Sequence, residues 1–227
     1  MNSVFPSDLP DQVRALAARL GARDGSPRIA RFQQAGHLRN LGHKRWTRFT
    51  ATQSIESAEC SFTWRARVAP MGAVRVEDAL MNGVPRGRVS LAGLIPLQQA
   101  QPGAELLRGQ LMRYLAELPW CPDAILANSA LRWAVVNSSK LSVGVATVSA
   151  QGEVTFELDA DGLPARVTGL RPSRVGDGYI ELPWSGEFGR YRRIDGRLIP
   201  HRAEVAWTVD GQSFAVWLGE LSRWTLR

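Results

Sequence analysis

AELLRGQLMRYLAELPWCPDAIL, Ala104 to Leu126, is the stretch that decides the fold. Leu107, Leu111, Tyr114, Leu115 and Leu118 recur in it at intervals of three and four, which puts them on one face of a helix. Pro102 and Gly103 break the chain before it, and Pro119 and Pro122 stop it. The spacing predicts a helix over 104–118, the only long helical pattern in the interior, with strand-like sequence on both sides. A single amphipathic helix amid many strands must lay its apolar face on a sheet.

On the N-terminal side the period is two. Ile29 to Asn40, Trp46 to Ile55, Cys60 to Val68, Val74 to Leu80 and Arg86 to Leu94 alternate apolar and polar residues, most clearly where Phe62, Trp64, Ala66 and Val68 interleave with Ser61, Thr63, Arg65 and Arg67. Short turns, Pro70-Met71-Gly72 and Asn82-Gly83 among them, join the strands into a meander over 28–95. A first helix over 8–20 precedes it, capped by Ser7 or Asp8, with Val13, Leu16, Ala17 and Leu20 as its stripe and Gly21 past its end.

On the C-terminal side a second meander over 131–227 resumes. Its strands are Leu131 to Val136, Leu141 to Val148, Val154 to Leu158, Ala165 to Leu170, Glu187 to Ile194, Leu198 to Val209 and Phe214 to Leu226. Arg171 to Ser185, rich in Gly and Pro, reads as an irregular loop. Links of two to five residues exclude parallel pairing, which needs a long crossover. Eleven or twelve antiparallel strands would expose a large apolar face if flat, so they should coil into a half-barrel. The expectation is one mainly β (α+β) domain over 1–227, with the central helix covering the concave face.

Composition bounds the function. Apolar residues make up 44%, ordinary for a globular core. The net charge is +7, but all of the 28 basic residues except Lys44 and Lys140 are arginines spread along strands. That is the pattern of a solvated face rather than a specific nucleic-acid site. No run of eighteen apolar residues exists, and the N-terminus lacks the basic-then-apolar order of a signal peptide, which points to a cytoplasmic protein. Cys60 and Cys121 are isolated, outside any zinc-ligand spacing, and read as free thiols.

No motif carries chemistry. His37, His43 and His201 have no metal-ligand spacing, and no nucleophile elbow or phosphate loop occurs, so neither metal nor cofactor is expected. The informative residues are polar ones on otherwise apolar faces: Gln53, Asp78, Glu117, Tyr191 and Glu204, with Arg113 one helical turn before Glu117 as its local partner. One reading makes them polar anchors that dock the helix on the sheet. The other makes them a polar spot in an apolar cavity that orients a ligand head group. Leu107, Leu111, Tyr114, Leu118, Phe62 and Trp64 would then supply the apolar lining.

Four segments carry a resemblance: FTATQ (49–53), RYLAELPWCP (113–122), DADGLPARV (159–167) and PWSGEFGRYRRIDGRLIPHRAEVAW (183–207). Together they resemble an uncharacterised bacterial domain family of unknown function, over nearly the whole chain. The order of elements is also similar to the periplasmic lipoprotein-carrier fold of the LolA and LolB type, in which a curved antiparallel sheet cups a hydrophobic cavity closed by helices. The resemblance implies a half-barrel that binds a hydrophobic small molecule or lipid without catalysis. Two alternatives stand beside it. One is an enzyme on a lipid or sugar-like substrate using Asp78, Glu117 or Glu204; the other is an interaction module with a packed interior.

Overall fold

Hairpins build the sheet, and their turns follow from local chemistry. Asn82-Gly83, Asp195-Gly196 and Asp210-Gly211 each hold both residues at positive φ, as two-residue turns between twisted strands require. The structure is a computed structural model and describes residues 9–68, 72–91, 95–175 and 178–227. Before the central helix run β1 (Ile29–Leu38), β2 (Thr47–Glu56), β3 (Phe62–Val68), β4 (Val74–Met81), β5 (Val84–Leu91) and β6 (Ile95–Gln99). After it come β7 (Arg132–Asn137), β8 (Lys140–Ala146), β9 (Gln151–Leu158), β10 (Pro164–Val175), β11 (Gly178–Ile194), β12 (Arg197–Val209) and β13 (Gln212–Leu226).

All pair antiparallel in one curved, open sheet, in the order β6-β5-β4-β3-β2-β1-β13-β12-β11-β10-β9-β8-β7. The first meander therefore runs outward to one edge. The chain then crosses the concave face as a helix and returns inward from the opposite edge. The two meanders meet where β1 pairs with β13, from Ala30 opposite Leu226 to Leu38 opposite Trp217.

Two expectations are corrected. The segment Arg171 to Ser185 is not an irregular loop. Its described residues are the paired end of the long hairpin β10–β11, with Pro172 opposite Glu181 and Pro183 opposite Leu170. Ile95–Gln99 adds a thirteenth strand, counted among the described residues, that the sequence pattern passed over. The proposed caps Ser7 and Asp8, the turn residues Pro70 and Met71, and the end of the fifth strand beyond Leu91 lie outside the described residues.

The first helix, α1 (Asp11–Leu20), buries Val13, Leu16, Ala17 and Leu20, as its spacing requires. Its C-cap Gly21 has φ +75°, and a Cβ there would strike the Gly196 carbonyl of the β11–β12 turn, so glycine is needed on both counts. The central helix α2 (Ala104–Ala116) is followed by a 3-10 turn (Leu118–Trp120) and a short helix α3 (Ala124–Ala127). Leu118 thus sits two residues past the end of α2, because Pro119 and Pro122 force the chain to tighten.

The α2 stripe joins one large core with the concave faces of both meanders. Tyr114 anchors it: its hydroxyl donates to the Glu56 carbonyl at 2.9 Å and accepts from Asn128 Nδ2 at 3.0 Å. A second tie lies beside α3. Asp123, 1% exposed, accepts two bonds from Arg197, Nε at 2.9 Å and Nη2 at 2.8 Å. It also accepts from Arg28 Nη1 at 2.6 Å and from the Arg23 backbone N–H at 3.0 Å. The tie joins the chain after α2 to β12 and to the segment before β1.

Both cysteines are unpaired. Burial pushes the Cys60 thiol up to about 11 and the Cys121 thiol up to about 12. Only the thiolate reacts, so native protein at neutral pH should react very slowly with a thiol reagent. Under denaturing, non-reducing conditions the same titration should find two thiols. Finding none would mean a bridge.

Candidate functional site

The concave face is not filled everywhere. A cavity of about 200 Å³ lies between the C-terminal half of α2 and the centre of the sheet. Six aromatic residues line it: Trp64 on β3, Trp120 after the helix, Trp184 and Phe188 on β11, Trp207 on β12 and Trp217 on β13. Cross-strand register places them. Gly169 on β10 stands opposite Trp184, which stands opposite Trp207, so a small residue and two large ones form one row across three strands. Trp120 packs edge-on against Phe188 and Trp217, with ring centroids at 5.8 and 6.5 Å. A Cβ on Gly219 would run into the Trp217 ring, so glycine there lets that ring lie along the sheet.

One side of the wall is charged. On α2, Gln110, Arg113 and Glu117 follow one another at intervals of three and four, a second stripe beside the apolar one. Arg113 Nε donates to Glu117 Oε1 at 2.9 Å, and its Nη1 donates to Asp78 Oδ2 on β4. Gln53 Nε2 on β2 donates to Glu117 Oε2, and Gln110 Nε2 donates to Asp78 Oδ1. All four carboxylate oxygens therefore have a donor. The Arg113 guanidinium also lies over the rings of Phe62 and Trp64, at 4.9 and 5.2 Å. Burial alone would lower its affinity for a proton; Glu117 and Asp78 outweigh burial and raise it. For Glu117 burial wins and pushes the carboxyl above its usual range, against Arg113 and Gln53.

Arg171 differs from Arg113. Its β10 position, two residues from Gly169, points it to the concave face, where it lines the cavity. Its Nε donates to the Gly109 carbonyl of α2 at 3.2 Å, and its guanidinium lies 5.3 Å from the Trp184 ring and 5.9 Å from the Trp207 ring. Among the described residues no carboxylate forms an ion pair with it. Burial pushes its pKa down to about 10; the charges of Asp78 and Glu117 act against that shift, and Arg113 adds to it.

Of the residues singled out in the sequence, Gln53, Trp64, Asp78, Arg113 and Glu117 come together at this cavity. Leu107, Leu111, Tyr114 and Leu118 do not line it. They are buried to between 0 and 7% exposure and pack in the main core, because the helix rests on β9 and β10 with that face. Phe62 packs in the same core under Arg113. Tyr191 lies with the α1 cluster, its hydroxyl donating to the Pro164 carbonyl at 2.7 Å, and is absent from the cavity wall. Glu204 falls in the wall between Ala203 and Val205, whose side chains pack on the core, so the pleat turns its carboxylate to the other face. The three carboxylates considered for acid chemistry are thus not gathered across one cleft. Arg171 was missed, and of the eight tryptophans the sequence did not tell which line a cavity and which fill the core; Trp184, Trp207 and Trp217 line this one. Extending the period-two pattern through Val167, Gly169 and Arg171 would have found the arginine.

The scattered arginines also gather. On the outer face of β3, β4 and β5, Arg65, Arg67, Arg75 and Arg88 border an open groove of about 670 Å³, and Arg67 stands directly opposite Arg75.

Among the described residues no group of His, Cys, Asp and Glu could hold a metal ion, and no helix is long and apolar enough to cross a membrane. The sequence profile of a family described as "Family of unknown function (DUF6920)" matches residues 7–225. No curated protein matches the chain in sequence. Two crystal structures share its architecture. A LolA-superfamily protein from Nitrosomonas europaea superposes with a TM-score of 0.52 at 10% identity, over 95% of this chain and 93% of that one. A DUF1329-family protein from Desulfovibrio piger gives a TM-score of 0.50 at 13% identity, over 96% and 93%. At such identities the likeness concerns the fold alone, which is LolA-like.

Proposed function

We propose a binding role, without catalysis, for this chain, which belongs to the DUF6920 family of unknown function: the half-barrel holds a hydrophobic or lipid-like small molecule. The observation that carries the reading is the aromatic cavity of about 200 Å³ under α2. Ligand sites are concave and mainly apolar, with a few placed polar groups, and this one has tryptophan walls and one charged side. Its volume is below the roughly 300–1,000 Å³ of sites that enclose a drug-sized ligand. It therefore suits a small ligand, or one end of a longer chain whose remainder leaves the cavity. The LolA-superfamily name of a fold neighbour agrees with a lipid-like ligand. A single domain over 1–227 and a reducing, cytoplasmic setting belong to the same reading, the latter on the two unpaired thiols.

The test is uptake of a fluorescent fatty acid by the purified protein, beside a native mass spectrum for a co-purified ligand. The parent protein should take up the probe. Val205→Trp, which puts an indole into the cavity wall, should abolish uptake while the thermal unfolding midpoint stays within a few degrees. Absence of uptake and of any co-purified ligand in the parent protein would overturn the reading.

A further inference from the structure

The cavity has a surplus of donors, and the surplus is localised. Asp78 and Glu117 have a donor on each of their four oxygens, supplied by Arg113, Gln53 and Gln110. Arg113 is thereby held between two carboxylates. Arg171 has the same charge in the same cavity, and among the described residues its hydrogen-bond partner is a backbone carbonyl alone. A guanidinium carries five N–H donors in one plane. The Trp184 and Trp207 rings lie beside that group, and only Nε has an acceptor among the described residues. Trp184 Nε1, on a ring of the same wall, is a buried donor without a partner. The Gln53 Oε1 acceptor is also unpaired, but it is neutral, and a hydroxyl or a water molecule satisfies it. A half-buried arginine that no carboxylate contacts among the described residues is the costlier imbalance.

We propose that the ligand of this cavity carries an anionic head group, a carboxylate or a phosphate monoester, and that Arg171 is the residue that receives it. The proposal rests on the binding role proposed above. A guanidinium receives either group through two parallel N–H bonds. The apolar part of the ligand then lies along Trp120, Trp184, Trp207 and Trp217. A neutral head group would leave the arginine unmatched, and a cationic one would be repelled by Arg113 and Arg171, while the Asp78 and Glu117 oxygens each already hold a donor.

Displacement of a bound fluorescent probe by decanoate, decanol and decyl phosphate tests it, in the parent protein and in Arg171→Met. The parent should bind an acid about tenfold or more tightly than the alcohol, the scale of one charge-assisted hydrogen bond. Arg171→Met should lose that preference and keep its affinity for decanol. The order of decanoate and decyl phosphate tells which acid the site is shaped for. Equal affinity of the parent for the acids and decanol overturns the proposal while leaving the binding role standing. A preference that survives in Arg171→Met overturns the assignment to Arg171. Failure of all three ligands to compete overturns both the proposal and the role. If Arg171→Met does not fold, as judged by circular dichroism, the comparison of acids with alcohol in the parent still decides.

Discussion

Asp123→Ala should lower the unfolding free energy by about 3–5 kcal/mol, the usual cost of leaving one partner of a buried ion pair alone. Asp123 and Arg197 are 1% and 5% exposed. Truncation would strand the Arg197 guanidinium and release Arg28 and the Arg23 N–H with it. Urea unfolding of the variant beside the parent measures the effect, and a loss below about 1 kcal/mol, the scale of an exposed pair, would contradict this account. The pH dependence has a fixed sign. Burial works to raise the Asp123 carboxyl, but hydrogen bonds from Arg197, the Arg23 backbone and Arg28 outweigh it and hold it below the ordinary 3.8. A depressed carboxyl stabilises the fold fully above the unfolded value, and the contribution fades as pH falls through the folded one. Parent stability should therefore fall more steeply below about pH 4 than that of Asp123→Asn.

Leu111→Ala should cost about 2–5 kcal/mol, as truncation of a packed leucine does. Leu111 is 1% exposed, and its Cβ lies against the strand at Gly152, where a methyl group would come within 3.2 Å of it. Leu107→Ala, 7% exposed on the same face one turn earlier, should fall in the lower part of that range. Both variants should keep fatty-acid uptake, because neither side chain lines the cavity. Urea unfolding with uptake measured alongside separates stability from binding. A small loss at Leu111 would show that this face borders empty space after all.

The sequence made the strands legible because alternation is a local signal. Phe49, Ala51, Gln53 and Ile55, and then Phe62, Trp64, Ala66 and Val68, are the buried residues of β2 and β3, and they are the ones that alternation selects. The turns were equally local, since Asn-Gly and Asp-Gly pairs favour positive φ. Prolines misled. Pro172 and Pro183 helped mark Arg171 to Ser185 as a loop, so the outer part of β10–β11 was passed over and Arg171 was lost with it; Ile95–Gln99 was given no element at all. Both pairs, β5–β6 and β10–β11, are hairpins whose register runs through the proline positions, with Ser90 opposite Pro96, Pro172 opposite Glu181 and Leu170 opposite Pro183, so reading proline as a breaker hid a pairing that closes locally.

The site was half legible. The i,i+4 spacing of Arg113 and Glu117 predicts their contact, but the third partner, Asp78, is brought in by β4. The helix stripe showed what would be buried without telling packed core from cavity wall. Helix α2 is covered on nearly every side, Gln110 and Met112 included. Arg113, Ala116 and the C-cap Glu117 are its cavity-facing residues, so the polar pattern rather than the apolar stripe pointed to the wall.

The pairing of β1 with β13 has a consequence for the order of assembly. Ile29 and Arg227 exchange backbone bonds at 2.6 and 3.2 Å, so residues almost two hundred positions apart close the middle of the sheet. Each neighbouring hairpin can form as soon as its own residues leave the ribosome, since its loop is short. The median seam waits for the last strand to be made. Until then two half-sheets exist, each with one raw inner border of unpaired amides, a template for foreign strands. Loop-closure entropy grows only slowly with length, so the seam is cheap to hold once made and slow to reach. The exposure to misassembly thus lasts until β13 has been made and is ended by its pairing with β1.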